Sequence, residues 1–555
     1  MLLILLSWIY IIILASIAGI SLNKYLGITK TDDLTTIFHG FFSITIFASI
    51  WAIFSGLNAI FCIVLSLSTA FLFYLNRKEC LSYFLRFKED IVKLDSFFKL
   101  ILIGVSILIL AQSASVPTLP DNESYYIQTI LWLNEFGFVK GLTNLHLFLG
   151  QTSGWHILQS AFSFSFIYSN FNDISGLCLL LGNVFAIIAL QKFIKSHNRD
   201  KTLLYIGLLP VFNCFLFPFI SSPSPDLAVI ILLAIVVFKF ITNYKACSKD
   251  ELLLVVILTA FLIFIKVTAI VCLIFPFVLF IKHHKANKKH SIIIGSIYTT
   301  VLLLMITKNI IITGNALYPL FDFDTFKTSW SLPKNISSYF SSYGNAYGYG
   351  ISTTVYETSS VVELLKYWIN YTGIDGFINK CLVVLLLVFA FFLKHKTFRI
   401  IYGVTIIQLV LLFYTSPQFR FYLPFFIVLV LLVLSRVFWK KSVIKFMLIC
   451  SILLCFGFVF IPSLPGKTKT SSFHLKNIIE PYSNSKYPLE YKTITTNNAT
   501  LNIPVGIDFF WGTGNTPIPA LNEQQLDYFK TYYNVLPEQK SSNLKDGYIL
   551  KSTKQ

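Results

Sequence analysis

The chain has 555 residues, of which 55% are hydrophobic and only 13% charged, and its mean hydropathy is +0.71. No soluble domain of this size has such a composition, so we predict an all-α polytopic membrane protein. The formal net charge of +18 does not indicate a nucleic-acid partner, because most Lys and Arg residues lie in short loops between apolar segments and set the topology.

Apolar windows of membrane-spanning length predict about 14 transmembrane helices. The first window lacks a basic leader and a cleavage site and is predicted to be a retained helix. The stretch from Glu251 to Lys282 is too long for one crossing, so it is split at Lys266 into two half-spans. The other predicted helices lie near 2–20, 38–56, 57–75, 97–115, 173–191, 202–220, 226–243, 291–313, 379–393, 399–415, 421–438 and 442–462.

The basic loops predict the orientation of these helices. If the loop that carries Arg77 and Arg86 faces the cytoplasm, every later basic cluster falls on the same side, provided that the chain turns at Lys266. The segment around Asp121, the segment 314–378 and the C-terminal ninety or so residues are then expected to face outward. The predicted parts of the chain are N-terminal helices (1–96), a transmembrane core (97–462) with outward loops 116–172 and 314–378, and an outward C-terminal domain (463–555).

Two carboxylates, Asp121 and Glu123, follow the predicted helix 97–115 at the outer membrane surface. A general base for a lipid headgroup needs such a position, within reach of the headgroup and not wet on all sides. The alternative is an ordinary helix cap by Asp121 or Asn122. Behind the pair, aromatic and aliphatic residues recur at helical spacing, as in a helix lying along the interface; they include Tyr125, Tyr126, Trp132 and Phe136.

Further polar groups are predicted at the same membrane face. Lys266 is a lone charge in an apolar stretch, and Lys308 and Arg420 lie near outer helix ends. A guanidinium at the position of Arg420 can hold a phosphate with two parallel hydrogen bonds. The alternatives are a snorkelling lysine for Lys266, an interfacial lysine for Lys308 and a helix cap for Asp226.

Two histidines and two tryptophans lie in the acidic loop. His146 and His156 are candidates for proton relay or metal binding, but no metal-ligand spacing is present, and packing roles are the alternative. Trp132 and Trp155 are candidates for stacking on a sugar, with interfacial anchoring as the alternative.

Two long polar segments, at about 314–378 and 463–555, differ in composition. Residues 337–350, SSYFSSYGNAYGYG, favour a flexible lid over a packed helix, with a plain linker as the alternative. The tail contains a strand-like run at 500–512 and a helical pattern at 522–536, which predict a small α+β domain. None of the nine cysteines forms a CxxC pair, so no disulfide or metal framework is indicated.

At these residues the chain resembles the GT-C superfamily of membrane glycosyltransferases, which includes lipid-phosphate-mannose-dependent protein mannosyltransferases and bacterial aminoarabinose transferases of lipid A. The resemblance rests on the acidic pair, the embedded Lys266, the segment GNALYP at 314–319 and the SPQFR segment that ends at Arg420. It implies a polyprenyl-phosphate sugar donor and inversion at the sugar. It also implies that Asp121 is the base or the ligand of a divalent cation.

The resemblance further implies that Glu123 supports the base and that Lys266, Lys308 and Arg420 hold the donor phosphate. In this chain three extra helices precede the acidic loop, which in that superfamily follows the first helix. The chain is also similar to large uncharacterised bacterial membrane proteins with a DNE-type loop and an SPSPD-like segment.

The leading hypothesis is a glycosyltransferase that moves a sugar from a polyprenyl-phosphate donor to a glycan, lipid or protein acceptor at the outer, periplasmic face of a bacterial inner membrane. A polymerase or ligase of lipid-linked surface polysaccharides is the second enzyme hypothesis. A transporter or flippase of polyprenyl-linked glycans is the non-enzymatic alternative, for which charges near mid-membrane are expected.

Overall fold

The computed structural model describes residues 1–168, 173–197, 200–319, 328–461, 473–496 and 498–553. The predicted loops 116–172 and 314–378 and the predicted domain 463–555 each extend partly outside these ranges. The helices are α1 (Leu2–Tyr25), α2 (Asp33–Phe54), α3 (Ala59–Leu75), α4 (Arg77–Val92), α5 (Ser96–Ser113), α6 (Ile127–Glu135), α7 (Gly154–Ala161), α8 (Ile174–Lys195), α9 (Lys201–Gly207), α10 (Asn213–Leu216), α11 (Pro225–Asn243), α12 (Lys249–Ile265), α13 (Ile274–Lys282), α14 (His284–Asn287), α15 (Ser291–Thr313), α16 (Lys334–Tyr349), α17 (Thr353–Thr358), α18 (Val361–Asn370), α19 (Gly373–Ala390), α20 (Lys396–Thr415), α21 (Phe419–Val437), α22 (Lys441–Phe460) and α23 (Glu523–Tyr533). The strands are β1 (Tyr491–Thr496), β2 (Ala499–Pro504), β3 (Val535–Gln539) and β4 (Tyr548–Ser552).

The helical membrane architecture is confirmed. Within the described ranges, 11 helices are long and apolar enough to cross a membrane, or up to 12 if α3 and α4, which meet at 95°, are counted as one. The predicted number of about 14 is not confirmed. The difference lies in three predicted crossings, 57–75 and the two half-spans at Lys266, which form helices of 17 residues or fewer.

The centre of the bundle is formed by α11 and α12. Every residue of α11 from Pro225 to Val237 is buried, as expected for a helix that is apolar around its whole circumference. Beside them, α1 and α2 cross closely: a Cβ atom on Gly40 would lie only 1.7 Å from the carbonyl oxygen of Ala15. Small residues at the crossing therefore let the two backbones touch.

Contacts between loops group the basic residues at one end of the bundle. Arg86 of α4 pairs with Asp33 at 3.4 Å, and Lys195 of α8 pairs with Asp95 at 3.3 Å. Gln191 of α8 also donates to the carbonyl oxygen of Lys93, directly after α4, at 3.1 Å, so α4 and the C-terminal end of α8 share one side with the starts of α2 and α5, as the basic-loop pattern predicts. The acidic loop (116–168), the polar segment 328–378 and the C-terminal region (473–496 and 498–553) lie at the opposite end.

The acidic loop contains a buried helix and not the predicted interfacial one. Residues 120–135 are helical throughout, with a π-helical turn at Asn122–Tyr126 that leads into α6. All residues of this turn and most of α6 are buried: α6 packs against α7, and the C-terminal region contacts the turn. Gln128 of α6 also donates a hydrogen bond to the carbonyl oxygen of Thr516 at 2.7 Å.

The prediction that residues 337–350 are too flexible for a packed helix is wrong. They form most of α16, which is followed by Gly350 with a φ of +70°. Its tyrosines pack against aromatic rings of the C-terminal region, as when Tyr343 meets Trp511 at 5.7 Å between ring centroids. Gly348 allows close contact with Pro417, since a Cβ atom would lie 2.7 Å from that ring. Tertiary contacts thus outweigh the low helix propensity of glycine and serine.

The C-terminal region contains the strands and the helix that the tail sequence predicts. β1 pairs antiparallel with β2 from Tyr491 opposite Pro504 to Thr496 opposite Ala499, and β3 pairs antiparallel with β4. Asn522 caps α23 by accepting a hydrogen bond from the Gln524 N–H at 2.9 Å. The inner residues of β2 join the hydrophobic core of the helical part, so the region packs directly on the bundle.

We expect acidification to weaken the attachment of this region through His146. Burial lowers the pKa of His146 to about 4, and its ring lies 3.1 Å from the Trp511 carbonyl oxygen through Nε2, while Nδ1 accepts from the Phe148 N–H at 3.3 Å. The folded state therefore favours the neutral ring. The contribution of His146 to the stability of the folded protein is fully present above about pH 6.5 and is lost as the pH falls towards 4.

Thermal unfolding in detergent between about pH 7 and pH 5 measures this effect, which amounts to about 2 kcal/mol at pH 5. His146→Gln keeps a donor for the carbonyl and should flatten the pH dependence. His284→Gln, at an exposed position, is the matched control. Equal pH slopes for His146→Gln and the wild type would contradict the assignment.

Candidate active site

An ion pair between Asp121 and Arg420 connects the acidic loop to the start of α21. The Arg420 Nη1 donates to Asp121 Oδ2, and both side chains are about four-fifths buried. Gln418 orients the guanidinium by accepting from its Nε at 2.9 Å. The Tyr126 hydroxyl lies 3.4 Å from the same carboxylate oxygen. Two residues that lie far apart in the sequence thus meet in one place.

A second ion pair joins Asp226 to Lys266. Asp226 lies in the first turn of α11, and Lys266 follows α12 at the point where the chain becomes extended, with φ −149° and ψ 112°. The Lys266 ammonium donates to Asp226 Oδ1, and the Asp226 side chain is only 5% exposed. The break in the predicted long span therefore places a lysine on a buried carboxylate.

The ring of Phe421 links the two ion pairs. The Lys266 Nζ lies 3.7 Å from the ring centroid, and the Arg420 Cζ lies 5.0 Å from it. A cation over an aromatic face is stabilised by the negative potential of the ring. Both cations are held beside one ring, and each has its own carboxylate, so the formal charges of the four ionic side chains sum to zero.

The two ion pairs line a cavity of about 1710 Å³. Tyr125 and Tyr126 also line it, and burial raises the pKa of both phenols well above 10, so they act as neutral hydrogen-bonding groups. Apolar residues of α15, among them Leu302 and Met305, continue the cavity wall into the membrane-spanning part. The cavity therefore has a charged end and a long apolar extension.

The helix-cap interpretations of Asp121 and Asp226 are wrong. Neither side chain accepts a hydrogen bond from a backbone N–H at its helix start; both bind cations. The snorkelling interpretation of Lys266 is wrong for the same reason. Lys308 is buried and donates to the Thr152 carbonyl oxygen, so the interfacial interpretation is also wrong, and its side chain lines the cavity.

Glu123 has a different place from the one predicted. Its carboxylate accepts hydrogen bonds from the Ser485 hydroxyl at 2.6 Å and the Lys486 N–H at 3.0 Å, and its carbonyl oxygen accepts from the N–H groups of Thr513 and Gly514. Burial raises the pKa of Glu123. Glu123 therefore fastens the C-terminal region to the helix of Asp121, and it lines the same cavity as Asp121.

The tryptophans and histidines of the loop do not line the cavity. Trp132 and Trp155 are almost completely buried, the former against Phe136 and Tyr548. His156 packs on the Tyr126 ring with centroids 4.9 Å apart. The packing alternative thus describes both histidines, and neither tryptophan is exposed as a membrane anchor.

The residues at Asp121 do not fit a divalent cation in this arrangement, because the Arg420 guanidinium would repel a cation on the same carboxylate. Within the described ranges, no cluster of three or more His, Cys, Asp or Glu side chains is arranged to hold a metal ion.

The sequence interpretation missed Gln418, Phe421 and the C-terminal residues that line the cavity. Phe421 follows Arg420 directly and Gln418 lies two residues before it, so their nearness in the sequence was the available signal. Lys486, Tyr487, Phe509 and Trp511 carry no motif, because only the folded C-terminal region brings them to the cavity.

We expect Glu123→Ala to loosen the C-terminal region. The substitution leaves the Ser485 hydroxyl and the Lys486 N–H without their acceptor in a buried place, which costs about 1–3 kcal/mol per group. Limited proteolysis and hydrogen exchange of residues 473–490 should both become faster. Glu135→Ala, at an exposed position on the same helix, should change neither rate. Unchanged rates in Glu123→Ala would contradict the role of Glu123 in fastening the C-terminal region.

Comparisons with known proteins give one finding. Neither curated proteins nor solved structures match the chain. A family model described as a domain of unknown function, DUF8201, matches residues 1–427, a range that contains both ion pairs. The chain therefore belongs to the DUF8201 family.

Proposed function

We propose that the protein is an integral-membrane glycosyltransferase that moves a sugar from a polyprenyl-phosphate donor to an acceptor at the periplasmic face of a bacterial inner membrane. The observation that carries this proposal is the pair of carboxylate–cation contacts at one end of a cavity that continues along apolar residues of α15, a helix long and apolar enough to cross a membrane. A ligand with a charged head and a long apolar tail matches both parts of this cavity.

Arg420 and Lys266 suit the phosphate of such a donor. The guanidinium has five N–H donors, of which the ion pair and Gln418 engage Nη1 and Nε. The remaining donors can bind phosphate oxygens in parallel. Lys266 is held beside the same ring and adds a second positive charge, and Lys308 lines the same cavity.

Asp121 suits the role of general base. When a phosphate takes over the Arg420 guanidinium, the carboxylate becomes available to accept a proton from an acceptor hydroxyl or amine. As it loses this proton, the acceptor hydroxyl or amine attacks the anomeric carbon. The bond from that carbon to the phosphate oxygen breaks, with inversion at the anomeric carbon. Polyprenyl phosphate leaves with one more negative charge, which the two cations stabilise.

The positions of the charges favour a transferase over a flippase. Asp121, Asp226, Lys266 and Arg420 all lie at helix ends on one side of the bundle. A transporter of a charged glycan is expected to carry such groups near mid-membrane on broken helices.

We expect Asp121→Asn to abolish transfer while it retains donor binding. Loss of a general base lowers the rate about 100-fold or more. Binding of polyprenyl phosphate should be unchanged or tighter, because Arg420 no longer pairs with a carboxylate. The measurement uses the full chain in lipid nanodiscs with a panel of polyprenyl-phosphate sugars and follows release of polyprenyl phosphate. Asp508→Asn, an exposed aspartate outside the cavity wall, is the control. Full activity of Asp121→Asn would overturn the assigned base.

Arg420→Lys is expected to weaken polyprenyl-phosphate binding by about 10- to 100-fold, since a lysine keeps the charge but loses the parallel donors. Arg436→Lys lies on the same helix at its other end, beside Phe398, and is the matched control. Titration calorimetry in nanodiscs measures the affinity of both variants for polyprenyl phosphate. Equal affinity of Arg420→Lys and the wild type would place the phosphate elsewhere.

A further inference from the structure

The C-terminal region and α16 give the cavity an aromatic wall, formed by Phe148, Tyr343, Tyr347, Tyr487 and Phe509. Tyr347 is 57% exposed, so its ring face is open to a ligand. The rings come from three separate parts of the chain: the acidic loop, α16 and the segments around 487 and 509. A concave surface lined by aromatic side chains with a few polar groups is typical of a ligand site.

Trp511, which also lines the cavity, connects the other rings of this aromatic wall. Its ring meets Phe148 edge-on with centroids 5.0 Å apart, and its Nε1 donates to the Tyr343 hydroxyl at 3.1 Å. Phe148 in turn stacks on Tyr125 at 5.3 Å. The aromatic wall is therefore continuous with the tyrosine pair beside Asp121.

The C-terminal region is fixed relative to the ion pairs through Glu123. The two segments that Glu123 binds, at 485–486 and 513–514, are the neighbours of the cavity-lining residues Tyr487 and Trp511. The region also begins well after residue 427, where the match to the family ends. This chain thus completes its cavity with residues from outside the family-matched part.

The chemistry of the aromatic wall favours a carbohydrate over a polypeptide. The C–H faces of sugar rings pack on aromatic rings, and phenol hydroxyls donate to and accept from sugar hydroxyls. An extended polypeptide is often recognised by a strand edge. Among the described residues that line the cavity, none belongs to β1–β4.

We infer that residues 473–553 select the acceptor and that this acceptor is a carbohydrate, whose rings stack on the aromatic wall beside Asp121. The inference rests on the proposed glycosyltransferase function and names the substrate that accepts the sugar. It divides the cavity between a phosphate end, built by helices of the family-matched part, and an acceptor end, built with the C-terminal region.

The test measures acceptor binding directly. The full chain in nanodiscs is applied to an immobilised panel of neutral and acidic oligosaccharides and to a peptide array, and donor consumption is followed in the same preparation. The wild type should bind one class of oligosaccharide. Tyr487→Ala and Tyr347→Ala should each weaken that binding about tenfold, as for the loss of one ring contact. Donor affinity and the unfolding temperature should not change.

Tyr487→Trp keeps a ring and should restore binding, while Tyr532→Ala, 70% exposed and outside the cavity wall, should leave it unchanged. Binding to peptides only, or wild-type oligosaccharide binding by both alanine variants, would overturn the inference. Oligosaccharide binding without any donor consumption would instead contradict the transferase and leave the carbohydrate site in place.

Discussion

Two cations beside a single phenylalanine ring are the constraint on which the site depends. Lys266 and Arg420 both contact Phe421, and in a mostly buried place two like charges so close together repel each other strongly. Leaving one buried charge without its partner costs about 3–5 kcal/mol. Asp226 and Asp121 provide those partners, so the break after α12, the start of α11, the start of α21 and the acidic loop must all meet at one point.

The sequence predicted the helices and the ends at which charges gather, because both follow from local composition. Long apolar runs have few alternatives to spanning a membrane, and a charge within or beside one stands out. Splitting the chain at Lys266 followed from the same reasoning, and the structure places the end of α12 there. The predicted crossing 57–75 and the two half-spans at Lys266 are not confirmed as full spans, since apolar length alone does not separate a full span from a partial one.

The pairing of the charges could not be predicted, because it depends on contacts between distant segments. Asp121 and Arg420 are separated by 299 positions, and nothing local distinguishes an aspartate that caps a helix from one that binds an arginine. Glu123 shows the same limit: its partners lie more than 360 positions away. The helix α16 was missed because its stability comes from rings of the C-terminal region and not from its own glycine-rich sequence.

The π-helical turn at Asn122–Tyr126 lies where Asp121 and Glu123 bind two different parts of the protein. Residues two apart on a helix point to nearly opposite sides, so Asp121 faces α21 while Glu123 faces the C-terminal region. A π-turn holds one residue more than an α-turn. A regular α-turn would cover the same rotation with one residue fewer, so the π-turn takes up one residue while Asp121 keeps its orientation relative to α6. The local spacing of a single turn thus sets how the C-terminal region is aligned with α21.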